Sequence, residues 1–344
     1  LTVQQPSLRP SNSNALRAPV TPKYLQAKRR HHYVWAKYLT RWGSGSERVF
    51  YTTKTGKIAQ DSVRAIAAEE YLYKITRLTD EQVVVIKRLS RMSPDSLHQQ
   101  HMSYLNDFLV LQQADDDYTR SGFFSPVADQ LLHAFKCNLL ENLHSSHEQA
   151  VQPVLEALAD EKLEILGDKQ LMVEFMAFFG HQFCRTKPFR DNATRRLVRS
   201  SDLENHVADA FVNGWWFLSY MFGMNLGDSL YQSRHQDTHA LLINDTTIPF
   251  ITSDHPIVNV HSSVSETIFS SPDHADLYYP ISPRIAYIIC NSDRFQPGKN
   301  YINVSTAVEL NAKLASQAMI HIIGNTQNSI RLFQSFIGKC GQKT

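Results

Sequence analysis

Apolar positions recur at steps of three and four residues through the first two-thirds of the chain, then give way to short β-like runs separated by turn residues. From Asp61 onward, Val63, Ile66, Ala67 and Tyr71 share one helical face, with Asp61 or Ser62 as cap. Further helices are predicted over 79–92 and 95–113, with the acidic run Asp115-Asp116-Asp117 as a solvated loop or a cation site. Ser125-Pro126 is a capped helix start, and Leu131, Phe135, Leu139 and Leu143 continue its apolar face. A segment carrying Val151, Val154, Leu155 and Leu158 ends at Gly167; helices follow over 169–185 and twice within 193–231. An early strand is expected over 48–52, with a turn at 54–57. The main β-like runs are 239–252, 256–260, 286–291 and 301–304, before helices at 306–318 and 328–337. The pattern predicts an α+β protein, mainly helical in its N-terminal two-thirds. A small mixed or antiparallel sheet, built largely from 239–305, occupies the C-terminal third.

Length and composition narrow the class. The 344 residues, 42% hydrophobic and 20% charged, suffice for a large core and exclude disordered, collagen-like and disulfide-framework chains. The formal net charge of +2 supplies no global field for nucleic acid, so any basic site is local, in 23–41 or 185–199. Cys137, Cys184, Cys290 and Cys340 stand far apart and read as free cytosolic thiols. Residues 1–22 are a Ser-, Asn-, Pro- and Gln-rich segment without an apolar core, expected to be flexible and neither signal nor anchor. The apolar run 211–226 is interrupted by Asn213, Ser219 and Asn225 and reads as a buried helix, not a membrane span. The expected organisation is one integrated domain over 23–338 with a tail at 339–344, cytoplasmic and without membrane contact.

Polar residues that break the pattern are the candidates for chemistry. On the 169–185 helix, Phe175, Phe178 and Phe179 form a stripe that Gln182 and Arg185 continue. A buried Arg185 needs an anion: either an internal carboxylate, or a phosphate or carboxylate ligand in a cleft. Lys187, Arg190 and Arg195 follow it closely. In His144-Ser145-Ser146-His147-Glu148, both histidines and Glu148 converge if the helix is continuous, fit for metal ligation or proton transfer; otherwise Ser145 and Glu148 are a capping box opening a new segment. Arg29 to Tyr33 lie in a basic and aromatic segment with Lys23, Tyr24, Lys28, Trp35, Lys37, Tyr38, Arg41 and Trp42. This is the chemistry of a nucleic-acid groove, or of aromatics packing inward with cations outward. Ser253 and Asp254 end an apolar strand before Pro256, placed for ligand contact or for capping a loop.

These pieces together resemble the bacterial family catalogued as domain of unknown function 4238. The resemblance rests on His-His-Tyr-Val at 31–34 followed by Tyr38-Leu39, Gln-x-x-Arg-Thr at 182–186, Ser-Asp-x-Pro at 253–256 and Pro-x-Ser-Pro at 280–283, and covers about residues 28–335. Trp35 stands where the family commonly has proline, and His255 where a small polar residue is usual. The family name carries no activity. The resemblance implies that His31 or His32, Gln182, Arg185 and Asp254 belong together, with Glu148 as a further carboxylate. Such a set suits phosphodiester cleavage: histidine as acid or base, Arg185 on the pentavalent phosphate, and Asp254 or Glu148 orienting histidine or holding a divalent metal such as Mg²⁺. Arg30, Tyr33, Lys187, Arg190 and Ser253 would contact substrate. The expectation is a nuclease or nucleotide-processing effector acting on RNA, DNA or a nucleotide, with a protein partner in a bacterial defence or toxin system. The alternative is a non-catalytic nucleotide- or partner-binding module whose His, Arg and Asp residues form a structural network. No phosphate loop of Gly-x-x-x-x-Gly-Lys type occurs, which argues against a nucleoside-triphosphate motor.

Overall fold

A computed structural model describes residues 22, 25–43, 45–262 and 274–339. Residues 1–21, Lys23, Tyr24 and Cys340 with the rest of the tail lie outside the described residues. In chain order the strands and helices are β1 (Arg30–His32), α1 (Ala36–Leu39), β2 (Arg48–Thr52), β3 (Ile58–Ser62), β4 (Ala68–Glu70), α2 (Asp80–Ser90), α3 (Asp95–Ser121), α4 (Pro126–Ala159), α5 (Lys169–Cys184), α6 (Lys187–Arg195), α7 (Asp202–Asn213) and α8 (Trp215–Ser233). There follow β5 (Thr238–Ile243), β6 (Thr252–Ser253), β7 (Val258–Asn259), β8 (Asp276–Pro280), β9 (Ile285–Cys290), β10 (Gly298–Tyr301), α9 (Val304–Gln317), β11 (Ile322–Gly324) and α10 (Gln327–Arg331).

The α+β arrangement is as the pattern predicts, and the sheet in the C-terminal third explains its own sequence. Its order is β10-β5-β9-β8-β7, antiparallel except where β10 lies parallel to β5. Leu241, Ile243, Leu277, Tyr279, Tyr287 and Ile289 point to the helical core. Their neighbours Ala240, Leu242, Tyr278, Ile288 and Cys290 point to α9. Both faces are therefore covered, which is why β5 and β9 read as near-continuous apolar runs. A second sheet, β3-β2-β11-β6, brings residues from both ends of the chain together, and β1 pairs with β4. Tyr38 donates to the Pro280 carbonyl at 2.7 Å and the Trp42 indole to the Phe250 carbonyl at 2.9 Å, so the N-terminal segment packs on these strands.

Helices α5 and α8 pack through glycine. A Cβ on Gly180 would lie 2.3 Å from the Gly223 carbonyl oxygen, and one on Gly223 would lie 2.5 Å from His181 Nδ1. Only hydrogen at these positions lets the backbones approach so closely.

Three expectations are corrected. Residues 61–71 are not a helix: β3 pairs with β2 through Ser62, Val63–Ala65 make one 3₁₀ turn, and Ala67 (φ 50°) and Tyr71 (φ 55°) are left-handed. Val63 and Ile66 are nonetheless buried, so a turn and a bend satisfy the spacing that suggested a helix. The acidic run is not a loop, because α3 continues to Ser121 before Gly122 (φ 66°) ends it. There Asp116 pairs with Arg77, Asp117 with Arg120 and Asp115 with Lys136, which relieves the like-charge repulsion. The capping box at Ser145 also fails: α4 runs unbroken through Pro153. The hydrogen bond that proline forfeits is that of the exposed Gln149 carbonyl, which water can satisfy.

Candidate functional site

The continuous α4 places Glu141, His144 and Glu148 on one face, at steps of three and four, toward α5. The α5 stripe turns polar at Gln182 and ends at Arg185, only 3% exposed. Arg185 Nη2 donates to Glu148 Oε1 and to Gln182 Oε1, both at 2.7 Å. Gln182 in turn donates from Nε2 to the Tyr33 carbonyl at 2.9 Å. The Tyr73 hydroxyl donates to the Arg185 carbonyl at 3.1 Å, and the Tyr73 backbone N–H to His31 Nδ1 at 2.9 Å. The other His31 nitrogen, Nε2, is 3.0 Å from the Lys28 carbonyl. A backbone N–H only donates and a carbonyl only accepts, so these partners fix His31 as the neutral Nε2–H tautomer. Burial lowers its pKa in the same sense. A closed circuit thus runs from the His-His-Tyr-Val segment through Tyr73 to α5 and back to Tyr33.

Asp254 serves a different joint. Its carboxylate accepts the backbone N–H groups of Met319 at 3.0 Å, Ile320 at 2.8 Å and His321 at 2.9 Å. This fastens the approach to β11 beside β6. Burial raises the Asp254 pKa against the pull of those donors. Ser253 Oγ donates to the His255 carbonyl at 2.8 Å and accepts the His255 N–H at 3.1 Å, closing a local turn. The Thr186 hydroxyl meets His255 Nδ1 at 2.8 Å, which ties the end of α5 to this loop.

The remaining expected residues sit around the circuit. His32 is half-buried, with Nε2 donating to the Arg64 carbonyl at 3.2 Å, and Arg30 donates to the Ala65 carbonyl at 3.0 Å. Lys187 pairs with Glu69 at 2.8 Å, and Arg190 with Glu69 at 3.5 Å and Asp191 at 2.9 Å. Glu69 stands opposite His31 in the β1–β4 register. Lys187 and Arg190 therefore face carboxylates of the same chain, as do Arg29 (Glu70), Lys37 (Glu156) and Arg199 (Asp209).

Behind Arg185 lies a layer that sequence reasoning missed in part. The His147 ring stacks on His181 at 4.4 Å, His181 stacks on Tyr220 at 4.3 Å, and His144 lies 4.7 Å from the Tyr73 ring. Burial, reinforced by the nearby Arg185 charge, lowers the pKa of all three, that of His147 to about 4. Both ring nitrogens of His144, His181 Nδ1, Arg185 Nε and Glu141 Oε2 are buried without hydrogen-bond partners among the described residues. Burial, with Glu148 adding repulsion and Arg185 opposing, pushes Glu141 up to about 7. For Arg185, burial acts to lower the pKa, but Glu148, Tyr73 and Glu141 outweigh it and hold the guanidinium charged. Glu141 was findable, three residues before His144 on the same face. Tyr73, Glu69 and His181 gave no periodic signal.

Among the described residues, no three His, Cys, Asp or Glu side chains converge as a metal-binding group. The stacked His147 and His181 present ring faces to each other, and the cation beside Glu148 is a guanidinium. No described helix is long and apolar enough to cross a membrane. Compared with known families, residues 30–328 match a model described as a protein of unknown function, DUF4238. No curated protein and no solved structure shows a match.

Proposed function

Since the chain belongs to the DUF4238 family, whose biochemical activity is unknown, we propose that it is a non-catalytic module binding a nucleotide or a protein partner, with the signature residues as its internal frame. One observation carries this reading: the groups expected to act on substrate are occupied within the chain. Both His31 nitrogens, both Gln182 amide atoms and the Asp254 carboxylate have backbone or side-chain partners, and Arg185 is buried against Glu148. A general base or phosphate clamp must instead reach substrate. Cys137, Cys184 and Cys290 are free and buried, in keeping with a cytoplasmic setting.

The competing reading is a nuclease or nucleotide hydrolase of a defence or toxin system, with Glu141 as its proton-active group beside Glu148 and Arg185. Incubating the purified protein with RNA, DNA and nucleotides in Mg²⁺ and Mn²⁺ separates the two. The module reading expects nucleic acid and nucleotides to be recovered intact. Cleavage that disappears in a folded Glu141→Gln variant would establish the hydrolase instead.

A further inference from the structure

A cleft of about 560 Å³ opens between the C-terminal end of α4 and the β8–β9 turn, apart from the network around Arg185. Its lining includes Glu161, Thr247, Ser282, Arg284 and Asn325, with Pro249 and Pro283 as rigid apolar walls. Ser282 and Pro283 belong to the Pro-x-Ser-Pro motif, whose Pro280 and Pro283 carbonyls accept from Tyr38 and from the Phe250 N–H while the Ser282 side chain lines the cleft.

Three independent observations mark this cleft. First, α4 ends in a turn where Glu161 N–H donates to the Leu158 carbonyl at 3.1 Å and Lys162 N–H to the Ala157 carbonyl at 2.9 Å. That turn puts Glu161 at φ 61°, a position favouring glycine. The visible return for a glutamate there is an ion pair with Lys299 at 3.1 Å, whose side chains are 45% and 38% exposed. Pairs so exposed contribute too little to offset the backbone cost. Second, Asn325 Oδ1 is buried with no hydrogen-bond partner among the described residues. Third, Ser282 Oγ accepts the N–H groups of Arg284 and Ile285 at 3.3 and 3.1 Å, which leaves its own hydrogen to donate.

Acceptors on Glu161 and Asn325 stand beside donors on Ser282 and Arg284, and charge is balanced: Glu161 faces Lys299, and Arg284 faces Asp245. A phosphate has no uncompensated cation to meet. A ring with adjacent hydroxyls does fit, because a carboxylate accepts from both members of a diol and a side-chain carbonyl takes a third hydroxyl, as acidic residues do with ribose elsewhere. We propose that this cleft binds a ring bearing vicinal hydroxyls, a saccharide or the ribose of a nucleoside, with Glu161 accepting from the diol and Asn325 from a neighbouring hydroxyl. The proposal rests on the binding-module reading and gives that module its ligand class.

The test titrates the full chain calorimetrically with adenosine, 2′,3′-dideoxyadenosine and methyl β-D-glucopyranoside, and repeats it on Glu161→Gly. Binding of adenosine alone identifies a nucleoside, and binding of the glucoside identifies a saccharide ring. In the nucleoside case the dideoxy compound binds at least tenfold more weakly. Glu161→Gly relieves the left-handed backbone, so its melting temperature rises while affinity falls tenfold or more. A merely structural Glu161 would not produce that opposition. The diol site is overturned if neither adenosine nor the glucoside binds at millimolar concentration, if the dideoxy compound matches adenosine, or if Glu161→Gly binds as the parent does. Nucleotide binding indifferent to Glu161→Gly removes this site and leaves the module reading standing; hydrolysis of RNA, DNA or nucleotide removes the module reading.

Discussion

Arg185, at the C-terminal end of α5, donates to Glu148 in the middle of α4 at 2.7 Å, with side chains 2% and 12% exposed. Each offsets the other's loss of hydration, and Gln182 passes the contact on to the His31–Tyr33 strand through the Tyr33 carbonyl. The pair joins three separate stretches of chain, which makes it a matter of stability before it is one of chemistry.

Arg185→Ala is accordingly expected to cost about 3–5 kcal/mol, because it strands a buried carboxylate. Replacing both partners, as Arg185→Met with Glu148→Leu, removes the stranded charge and recovers most of that loss. Urea unfolding midpoints measure both. A single variant within about 1 kcal/mol of the parent would show that the pair is not what holds α4, α5 and β1 together.

The α5 stripe was readable because helical period makes a polar residue in an apolar row conspicuous, so Gln182 and Arg185 stood out. Glu148 was readable only if α4 was continuous, and Pro153 argued locally against that until packing of Val151, Val154 and Leu155 overrode it. Tyr73 was invisible because it acts through its backbone N–H and its hydroxyl, which no side-chain pattern reports. Residues 61–71 misled because Ala67 and Tyr71 adopt left-handed backbone without the glycine that signals it. His181 depends on Gly223 admitting α8 to contact, a distance that only the folded chain sets.

Asp254→Asn tests the second joint. The carboxylate accepts from three backbone N–H groups, and an amide would turn one acceptor edge into a donor facing donors. At least one buried N–H loses its partner, a cost of about 1–3 kcal/mol. The expected signature is local as well: amides 319–321 exchange faster, while those of α4 keep their protection. Unchanged exchange at 319–321 would refute the anchoring role.

The pH dependence of stability should be set by histidines, with Glu141 opposing them. Burial lowers the pKa of His31, His32, His101, His144, His147, His181, His239 and His255 from 6.5, to about 4 in His101, His147 and His255. Below about pH 6.5 the unfolded chain takes up protons that the fold refuses, so stability falls as pH drops toward 4. Glu141 has the opposite sign: raised from 4.5 to about 7, it is protonated in the fold and ionised in the unfolded chain between those values. Its favourable contribution is complete below 4.5 and is lost as pH rises through 7. Eight lowered histidines outnumber the three raised carboxyls Glu141, Glu148 and Asp254, so stability climbs to a maximum near pH 6.5. Glu141→Gln, neutral in both states, removes one opposing proton. The acid limb then steepens by up to about 1.4 kcal/mol per pH unit between 4.5 and 6.5, and the decline toward pH 7 flattens. Unfolding midpoints of parent and variant from pH 4.5 to 8 read this directly, and superimposable curves would mean that Glu141 is ionised in the fold throughout.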